Sequence, residues 1–442
     1  MYKHLYIGLL FLIGGITYTS AQSSELTLQQ ALQYALEHKA EAKQASLDIE
    51  NSQYQIEEVR ANALPHLNVE ANLTNNPLIQ EMPLTMGGQT QMIPFNKEWN
   101  SQASATLTQV LFNQAVFMGL KAARTAKEFY VINKELTDEQ IIEKVSTTYY
   151  QVFQTKEMLR TFETTINSTT KIKEIIEGLY SNGLATKIDL DRTTVALSNL
   201  QAKKQQVMNA VELQQNALKF FMGMPLDTDL NFPDNTFTID ESIVLAENDV
   251  NNRTELHLLE KQKDLLYYKK KATLADYYPS LAAFGTMSYQ GFGDDFVWGG
   301  KPSEGVFWTS NAVVGVSLKI PLFNGFETRA KVKQVNVELK KVDLQIADTK
   351  QALDLDFRNA QKSIENALIT INIQKENVTL AKSILGNIQN NYKHGLATLT
   401  DLLNAENAFT EAENNYTNSL LDFKLAEIQL IKAKGNLSTL AE

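Results

Sequence analysis

The segment Tyr180-Ser181-Asn182-Gly183-Leu184-Ala185-Thr186 recurs as Tyr392-Lys393-His394-Gly395-Leu396-Ala397-Thr398, 212 positions further along the chain (392 against 180). Asp189-Leu190 recurs at the same spacing as Asp401-Leu402. Leu-Phe-Asn at 111–113 recurs at 322–324, and Pro65 has its counterpart in Pro279. Landmarks that keep their order at a nearly constant spacing indicate that the chain contains two copies of one unit.

The duplication divides the chain into two halves. We assign residues 22–224 to the first repeat and 238–442 to the second, joined by a Pro/Asp-rich linker at 225–237. Residues 1–21 have a basic start, an apolar run from Leu5 to Ile16 and a small residue at Ala21, the pattern of a secretory signal peptide cleaved after Ala21. The apolar run is shorter than the roughly 20 residues that a membrane-spanning helix needs.

Long breaker-poor segments predict helices in each half. One helix of each half has about 67 residues, or roughly 100 Å at 1.5 Å per residue. Leu190, Leu197, Val211 and Leu218 lie on multiples of seven, which favours a coiled-coil seam. We expect helices at about 26–62, 113–179, 186–222, 243–276, 325–392 and 398–434.

Four shorter segments alternate between apolar and small polar residues, at about 65–75, 100–110, 280–290 and 307–320. In the last of them Val314, Val316 and Leu318 oppose Ser317 and Lys319. The length and alternation fit membrane β-strands, and they equally fit a half-buried sheet in water. Polar faces rich in Thr, Ser, Gln and Asn, and aromatic residues near the strand ends, favour the membrane.

The number of strands predicts an oligomer. An open sheet edge in lipid leaves backbone groups unsatisfied, so a four-stranded sheet must close across subunits. Two chains give eight strands, whose side chains fill the interior, whereas three give twelve strands and leave a channel. The predicted fold is mainly α with membrane β, a duplicated unit of long coiled-coil helices plus two strands each, and a channel built from it should be a trimer or larger.

Composition excludes several functional classes. The chain of 442 residues carries a formal charge of −10, which gives no general attraction to nucleic acid. It contains no cysteine and five scattered histidines, which excludes cysteine-ligated metals, thiol catalysis and lipidation on an N-terminal cysteine. No catalytic, cofactor-binding or metal-ligating motif is evident. We therefore expect neither an enzyme nor a cofactor.

The doubled order of helix, strand pair, long helix, Gly-Leu turn and helix resembles the TolC family of outer-membrane efflux and export ducts. The segments 218–225 (Leu-Lys-Phe-Phe-Met-Gly-Met-Pro) and 320–325 (Ile-Pro-Leu-Phe-Asn-Gly) are similar to that family's signatures. The resemblance implies a homotrimer with a twelve-stranded β-barrel in outer-membrane lipid, continued by a periplasmic α-helical barrel. It implies a passive duct of a tripartite efflux or type I secretion system, which receives substrates from an inner-membrane pump through a periplasmic adaptor.

The resemblance also assigns roles to the two Gly-Leu turns. It implies that they are the periplasmic tip, and we expect their leucines to face the adaptor, with six docking residues: Gly183, Leu184, Thr186, Gly395, Leu396 and Thr398. It implies a periplasmic gate formed by Tyr180, Asp189, Tyr392, Asp401 and Asn404. Ala397 and Asn404 depart from the best-known members, which carry Arg and Asp there.

Simpler structural roles remain open for these residues. Each glycine can end a helix in the left-handed conformation while the leucine packs locally. Thr186 with Asp189, and Thr398 with Asp401, match the Thr-x-x-Asp pattern of a helix capping box. Two further functions also remain open: a secreted coiled-coil or adhesin protein without a pore, and an outer-membrane channel that works alone.

Overall fold

The computed structural model describes residues 25–233, 237, 239 and 250–442. The predicted signal peptide lies outside these residues, and so does part of the predicted linker. The helices are α1 (Leu28–His38), α2 (Ala40–Ala61), α3 (Gln114–Ser181), α4 (Lys187–Met222), α5 (Thr254–Leu274), α6 (Glu327–Lys393) and α7 (Leu399–Ala433). The strands are β1 (His66–Asn75), β2 (Glu81–Met86), β3 (Gln89–Pro94), β4 (Trp99–Phe112), β5 (Ser280–Gly293) and β6 (Phe307–Lys319).

The long helices pack side by side in one layer. Helix α3, of 68 residues, packs against α2 and α4 on one side and against α5 and α7 on the other. Helix α6, of 67 residues, packs against α5 and α7. The layer therefore has two edges, α2 with α4 at one and α6 at the other.

The same junction is built twice, where the short helices of each half meet. Gly223 ends α4 with φ +72°, and a Cβ atom there would lie 3.0 Å from the His38 carbonyl oxygen. Gly435 follows α7 with φ +73°, and a Cβ atom there would lie 3.0 Å from the Asn252 carbonyl oxygen. Only glycine allows both the left-handed conformation and this close approach.

A buried cation satisfies the helix end at each junction. The Lys39 ammonium donates to the Phe220 carbonyl oxygen at the end of α4, at 3.0 Å. The Arg253 guanidinium donates to the Ala433 carbonyl oxygen at the end of α7, at 3.4 Å. Both cations lie where the carbonyl groups of a helix C-terminus favour positive charge.

Four strands form one antiparallel sheet in the order β1-β4-β5-β6. Pairing places Val69, Ala105, Met287 and Ala312 in one row across the sheet, and Asn68, Thr106, Thr286 and Val313 in the next. Directly paired residues share a face, so the apolar sets of the strands form one continuous apolar face. Thr106 and Thr286 form a hydroxyl–hydroxyl hydrogen bond of 3.1 Å on the opposite face.

Three elements differ from the sequence prediction. The helix expected at 26–62 is broken at Lys39, whose backbone is extended (φ −62°, ψ 132°), because Gly223 packs against His38 and Lys39 at the junction. The segment between β1 and β4, for which no strand was predicted, contains a separate β2–β3 hairpin that turns at Gly87-Gly88. In the second half α5 begins at Thr254, after a 3-10 turn at Val250–Asn252 and extended backbone at Arg253; the start of the helix expected at 243–276 lies outside the described residues.

Among the described residues, no helix has both the length and the unbroken apolar character that crossing a bilayer requires.

Candidate functional site: the helical tip

Each long helix ends in the same turn. The Leu184 N–H donates to the Leu179 carbonyl at 2.8 Å, and the Gly183 N–H donates to the Tyr180 carbonyl at 3.0 Å. The second turn repeats this pair of bonds, from Leu396 to Asn391 and from Gly395 to Tyr392. With both glycines in the left-handed region, these are Schellman motifs.

The two leucines of these turns are exposed. Leu184 is 75% accessible and Leu396 is 78% accessible, so neither packs locally as the simpler role would require. The glycines, by contrast, do end their helices in the left-handed conformation, as that role predicted. The result is a pair of apolar side chains at the free end of the helical layer.

The two aspartates of the turns cap helices. Asp401 Oδ2 accepts from the Thr398 N–H at 3.0 Å and from the Thr398 hydroxyl at 2.6 Å, while Thr398 Oγ1 accepts from the Asp401 N–H at 3.2 Å. Asp189 makes the same contacts with Thr186. The hydroxyl hydrogen bond is the main cause that lowers the pKa of each carboxyl, so both aspartates are ionised at neutral pH.

An apolar cluster joins the two turns. Ile172 and Ile176 of α3 are buried against Leu399 and Leu402 of α7, with Tyr392 packed on the cluster. Burial raises the pKa of the Tyr392 hydroxyl, and the negative charge of Asp189 raises it further. Tyr180, its counterpart in the first half, is exposed, so the two gate tyrosines occupy different environments.

A polar contact between the halves was not anticipated from the sequence. Arg192 Nη1 on α4 donates to Thr400 Oγ1 on α7 at 2.9 Å. Arg192 also contributes to lowering the pKa of Asp189. In the second copy of the repeat, the position equivalent to Arg192 is Asn404 (192 against 404). This difference between the two copies is a sequence signal by which Arg192 could have been identified as a candidate site residue.

Arg192 and Asn404 line one groove between α4 and α7. The groove has a volume of about 970 Å³, and polar side chains from both helices face it, including Asn199, Gln206 and Asn407. Of the predicted gate residues, the structure therefore brings Tyr392 near Asp189 and places Asn404 beside Arg192. Asp401 is exposed at the start of α7.

Above the tip, a ladder of polar contacts ties α3 to α7. The Thr165 and Thr410 hydroxyls are 2.9 Å apart, and Gln154 donates to Asn418 at 2.5 Å. Buried Glu406 accepts from Ser168 at 2.5 Å and from Thr169 at 3.0 Å. Burial raises the pKa of the Glu406 carboxyl, and these hydroxyl donors partly offset the rise.

No group of three or more His, Asp or Glu side chains within 25–233 and 250–442 is arranged to hold a metal ion. The functional groups described at the tip are the aspartates that cap helices, the tyrosine and arginine side chains that contact both halves, and the exposed leucines.

Known proteins share this architecture. The family model described as outer membrane efflux protein matches residues 31–224 and 249–436. Outer membrane protein TolC of Salmonella enteritidis is 21% identical over 426 residues, covering 95% of this chain and 84% of that protein. Alkaline protease secretion protein AprF of Pseudomonas aeruginosa is 22% identical over 262 residues, covering 57% of this chain and 52% of AprF.

The fold also matches a solved structure. The outer membrane protein VceC of Vibrio cholerae superimposes with a TM-score of 0.72 at 19% identity, covering 92% of this chain and 96% of VceC. The chain belongs to the outer membrane efflux protein family, and it is a passive outer-membrane duct of efflux or type I secretion systems rather than an enzyme.

Proposed function

We propose that three copies of the chain close into one duct, a twelve-stranded barrel in the outer membrane continued by a helical tube into the periplasm. An adaptor protein docks on the tip of the tube, and an inner-membrane pump supplies the substrate through it. The sheet and the helical layer support the trimer and its position in the membrane. The tip supports the docking surface and the gate.

The open edges of the sheet support closure across subunits. β1 and β6 each have a neighbour on one side only. Chain connectivity puts the sheet and the helical layer in the same order, because α2 leads into β1, β4 into α3, α5 into β5, and β6 into α6. One subunit can therefore form part of the wall of a duct, because the open edges of its sheet lie on the same sides as the edges of its helical layer.

Helix α6 gives the strongest support for association between subunits, because it has apolar residues on two opposite faces. Its buried face includes Val342, Phe357 and Ile364 and packs on α5 and α7. At 100° per residue, its exposed large apolar residues fall within an arc of about 60° on the other side. This outer stripe consists of Val337, Leu344, Leu355, Ile369, Ile373, Leu380 and Ile384.

The opposite edge of the helical layer has a matching stripe. Ile188, Val195, Leu213 and Phe220 of α4 are exposed and fall within about 40° of arc, and Leu47 and Tyr54 of α2 are seven residues apart. Exposed apolar stripes on helices are typical of coiled-coil partners. We infer that the outer stripe of α6 packs on the α2/α4 edge of the next subunit. Three subunits leave a channel through the barrel, whereas two fill it.

Aromatic residues support the position in the membrane. On the apolar face near one end of the sheet, Tyr289 stacks on Trp308 at 4.8 Å, and Trp298 donates to Ser101 at 2.8 Å. Phe323 and Phe326 contact each other beyond the other end. The eleven residues from Trp308 to Leu318 span about 33 Å along a strand, or roughly 25 Å at the tilt usual in membrane barrels.

A charge in the outer stripe tests the trimer. We expect Leu344→Glu to reduce the amount of trimer recovered from the outer-membrane fraction at least several-fold, because it places a carboxylate in an apolar contact. Gln345→Glu is the matched control, since it adds the same charge at an exposed position about 100° away. Equal recovery of trimer from the two variants would refute the assignment of this interface.

The exposed leucines of the tip support adaptor docking. We expect Leu184→Ser with Leu396→Ser to leave the trimer intact while weakening export, because the change removes apolar docking surface without touching the Schellman hydrogen bonds. Cross-linking of the adaptor to the tip, together with export of a pump substrate, measures the effect. Full export by the double variant would exclude the leucines from docking.

For the gate, we infer that Tyr392 with Asp189, Arg192 with Thr400, and the exposed Asp401 hold the tip of the duct closed. Tyr392 packs on an apolar cluster built from both halves of the subunit, and the hydrogen bond from Arg192 to Thr400 also joins the two halves. Opening the tube at this end requires the two helix pairs to separate, and both contacts oppose that separation. Arg192 supplies from α4 the arginine that position 397 lacks.

A further inference from the structure

The β2–β3 hairpin stands apart from the rest of the subunit. Within the described part of the chain, its two strands pair with each other and with no other strand. At its base, the Phe95 N–H donates to the Gln80 carbonyl at 2.9 Å and extends the pairing of β2 with β3, whereas the Asn76 N–H donates to the Glu98 carbonyl at 2.7 Å and extends the pairing of β1 with β4. An isolated two-stranded hairpin is marginally stable in water, so its stability calls for a surface to pack on.

One face of the hairpin is apolar and exposed. Met82, Leu84, Met86 and Ile93 share this face in the pairing register, and each is at least 38% accessible. Gln89 and Gln91 lie on the same face, opposite Met86 and Leu84. The opposite face is more polar, and there the Thr85 and Thr90 hydroxyls form a hydrogen bond of 3.0 Å. The apolar face has the composition of an interface rather than of a solvated loop.

The charge of the segment argues against anionic lipid head groups as the partner. Residues 77–95 contain Glu81 as their single charged residue and no lysine or arginine. Anionic lipid head groups recruit basic side chains, and this segment offers none. An uncharged apolar face fits another apolar protein face.

A second copy of the same hairpin can reach that face in the proposed trimer. Six residues of strand span about 20 Å. A twelve-stranded barrel has a radius of about 12 Å, from a strand spacing of about 4.8 Å and a tilt near 40°. A hairpin rooted on the rim is therefore long enough to meet its symmetry mates on the threefold axis.

We propose that the three β2–β3 hairpins of a trimer pack together through the face of Met82, Leu84, Met86 and Ile93, and form a cap over the outer mouth of the duct. Each subunit contributes the same apolar face around the axis. This inference rests on the proposed trimer and adds a second point of closure at the end opposite the periplasmic tip.

Single cysteine substitutions test the cap, because the chain has no cysteine of its own. We expect Leu84→Cys and Met86→Cys to be cross-linked between subunits by a short bismaleimide in the purified trimer. Thr85→Cys, at the neighbouring position on the opposite face, is the matched control and should cross-link at least several-fold less. The mass of each variant trimer is measured first without cross-linker.

The outcomes separate the cap from the trimer. If neither Leu84→Cys nor Met86→Cys cross-links in an intact trimer, or if Thr85→Cys cross-links equally well, the cap is overturned and the duct is unaffected. In liposomes, a Leu84→Cys thiol that does not cross-link and is shielded from a water-soluble maleimide would assign the face to lipid instead. A wild-type protein that is not trimeric overturns the proposed function itself.

Discussion

Asp189 and Asp401 hold the same position in the two halves, and their surroundings differ by a few residues. Both carboxylates cap a helix through the threonine three residues earlier. Asp189 has Arg192 and Tyr392 nearby, whereas the causes that lower the pKa of Asp401 come from Thr398. Asp401 is thus the less neutralised of the two, and in a trimer it forms a ring of three negative charges.

We expect Asp401→Asn to reduce the cation selectivity of the reconstituted duct, because like charges around a pore attract cations. Asparagine keeps a side-chain acceptor for the cap, so the melting temperature should change little. Reversal potentials from single-channel recordings measure selectivity, and Asp189→Asn is the matched variant. An unchanged selectivity together with a lower melting temperature would restrict Asp401 to its capping role.

The capping role of Asp189 and Asp401 could be predicted from the sequence, whereas the contacts between distant parts of the tip could not. The Thr-x-x-Asp pattern is local, so a capping box can be predicted from four residues. Arg192 meets Thr400 across 208 positions, and no local pattern specifies that contact. The burial of Glu406 could not be predicted from the sequence either, because it depends on how α7 packs against Ser168 and Thr169.

At the scale of the elements, α3 and α7 are joined by polar groups where an apolar seam is usual. Glu406 is 4% accessible and receives two hydroxyl hydrogen bonds. An ionised carboxylate in this position loses hydration that two neutral donors only partly replace. The α3–α7 contact is therefore weakened when Glu406 ionises.

We expect Glu406→Gln to change the pH dependence of stability. A raised carboxyl pKa contributes stability that is fully present below the unfolded pKa of glutamate and is lost as pH rises through the folded pKa. The wild type should lose stability over that window, and the variant should show a flatter curve with a higher melting temperature above it. Exposed Glu411→Gln is the control, and an identical pH profile for wild type and Glu406→Gln would contradict this role.

The helices and strands differ in how far the sequence specifies them. The ends of α3, α4, α6 and α7 lie within about two residues of prediction, since Gly, Thr and Asp mark them locally. The break at Lys39 was not predicted, because it results from the approach of Gly223 from a distant part of the chain. The β2–β3 hairpin was missed because its alternation is short and two prolines interrupt it.

At the scale of the whole molecule, the two faces of the sheet make a directional prediction. Val316 lies on the apolar face and Ser317 on the polar one, and both are exposed in a single subunit. We expect Val316→Lys to destabilise the membrane-embedded protein by about 2–4 kcal/mol if it lies near the bilayer midplane. Ser317→Lys should be mild, because the proposed barrel turns the polar face of the sheet toward the channel.

Denaturant unfolding in lipid vesicles measures both variants of this pair. A larger loss from Ser317→Lys than from Val316→Lys would reverse the faces, with the apolar set lining the channel. Equal losses would remove the distinction between a lipid face and a channel face.

In the proposed assembly, one subunit is a third of the duct. Its sheet has two open edges, and its helical layer has an apolar stripe at each edge. The most direct test is the mass of the wild-type protein, extracted from the outer membrane in mild detergent and measured by native mass spectrometry. We predict three chains per particle at all concentrations at which the protein remains folded; a stable monomer or dimer would contradict the account.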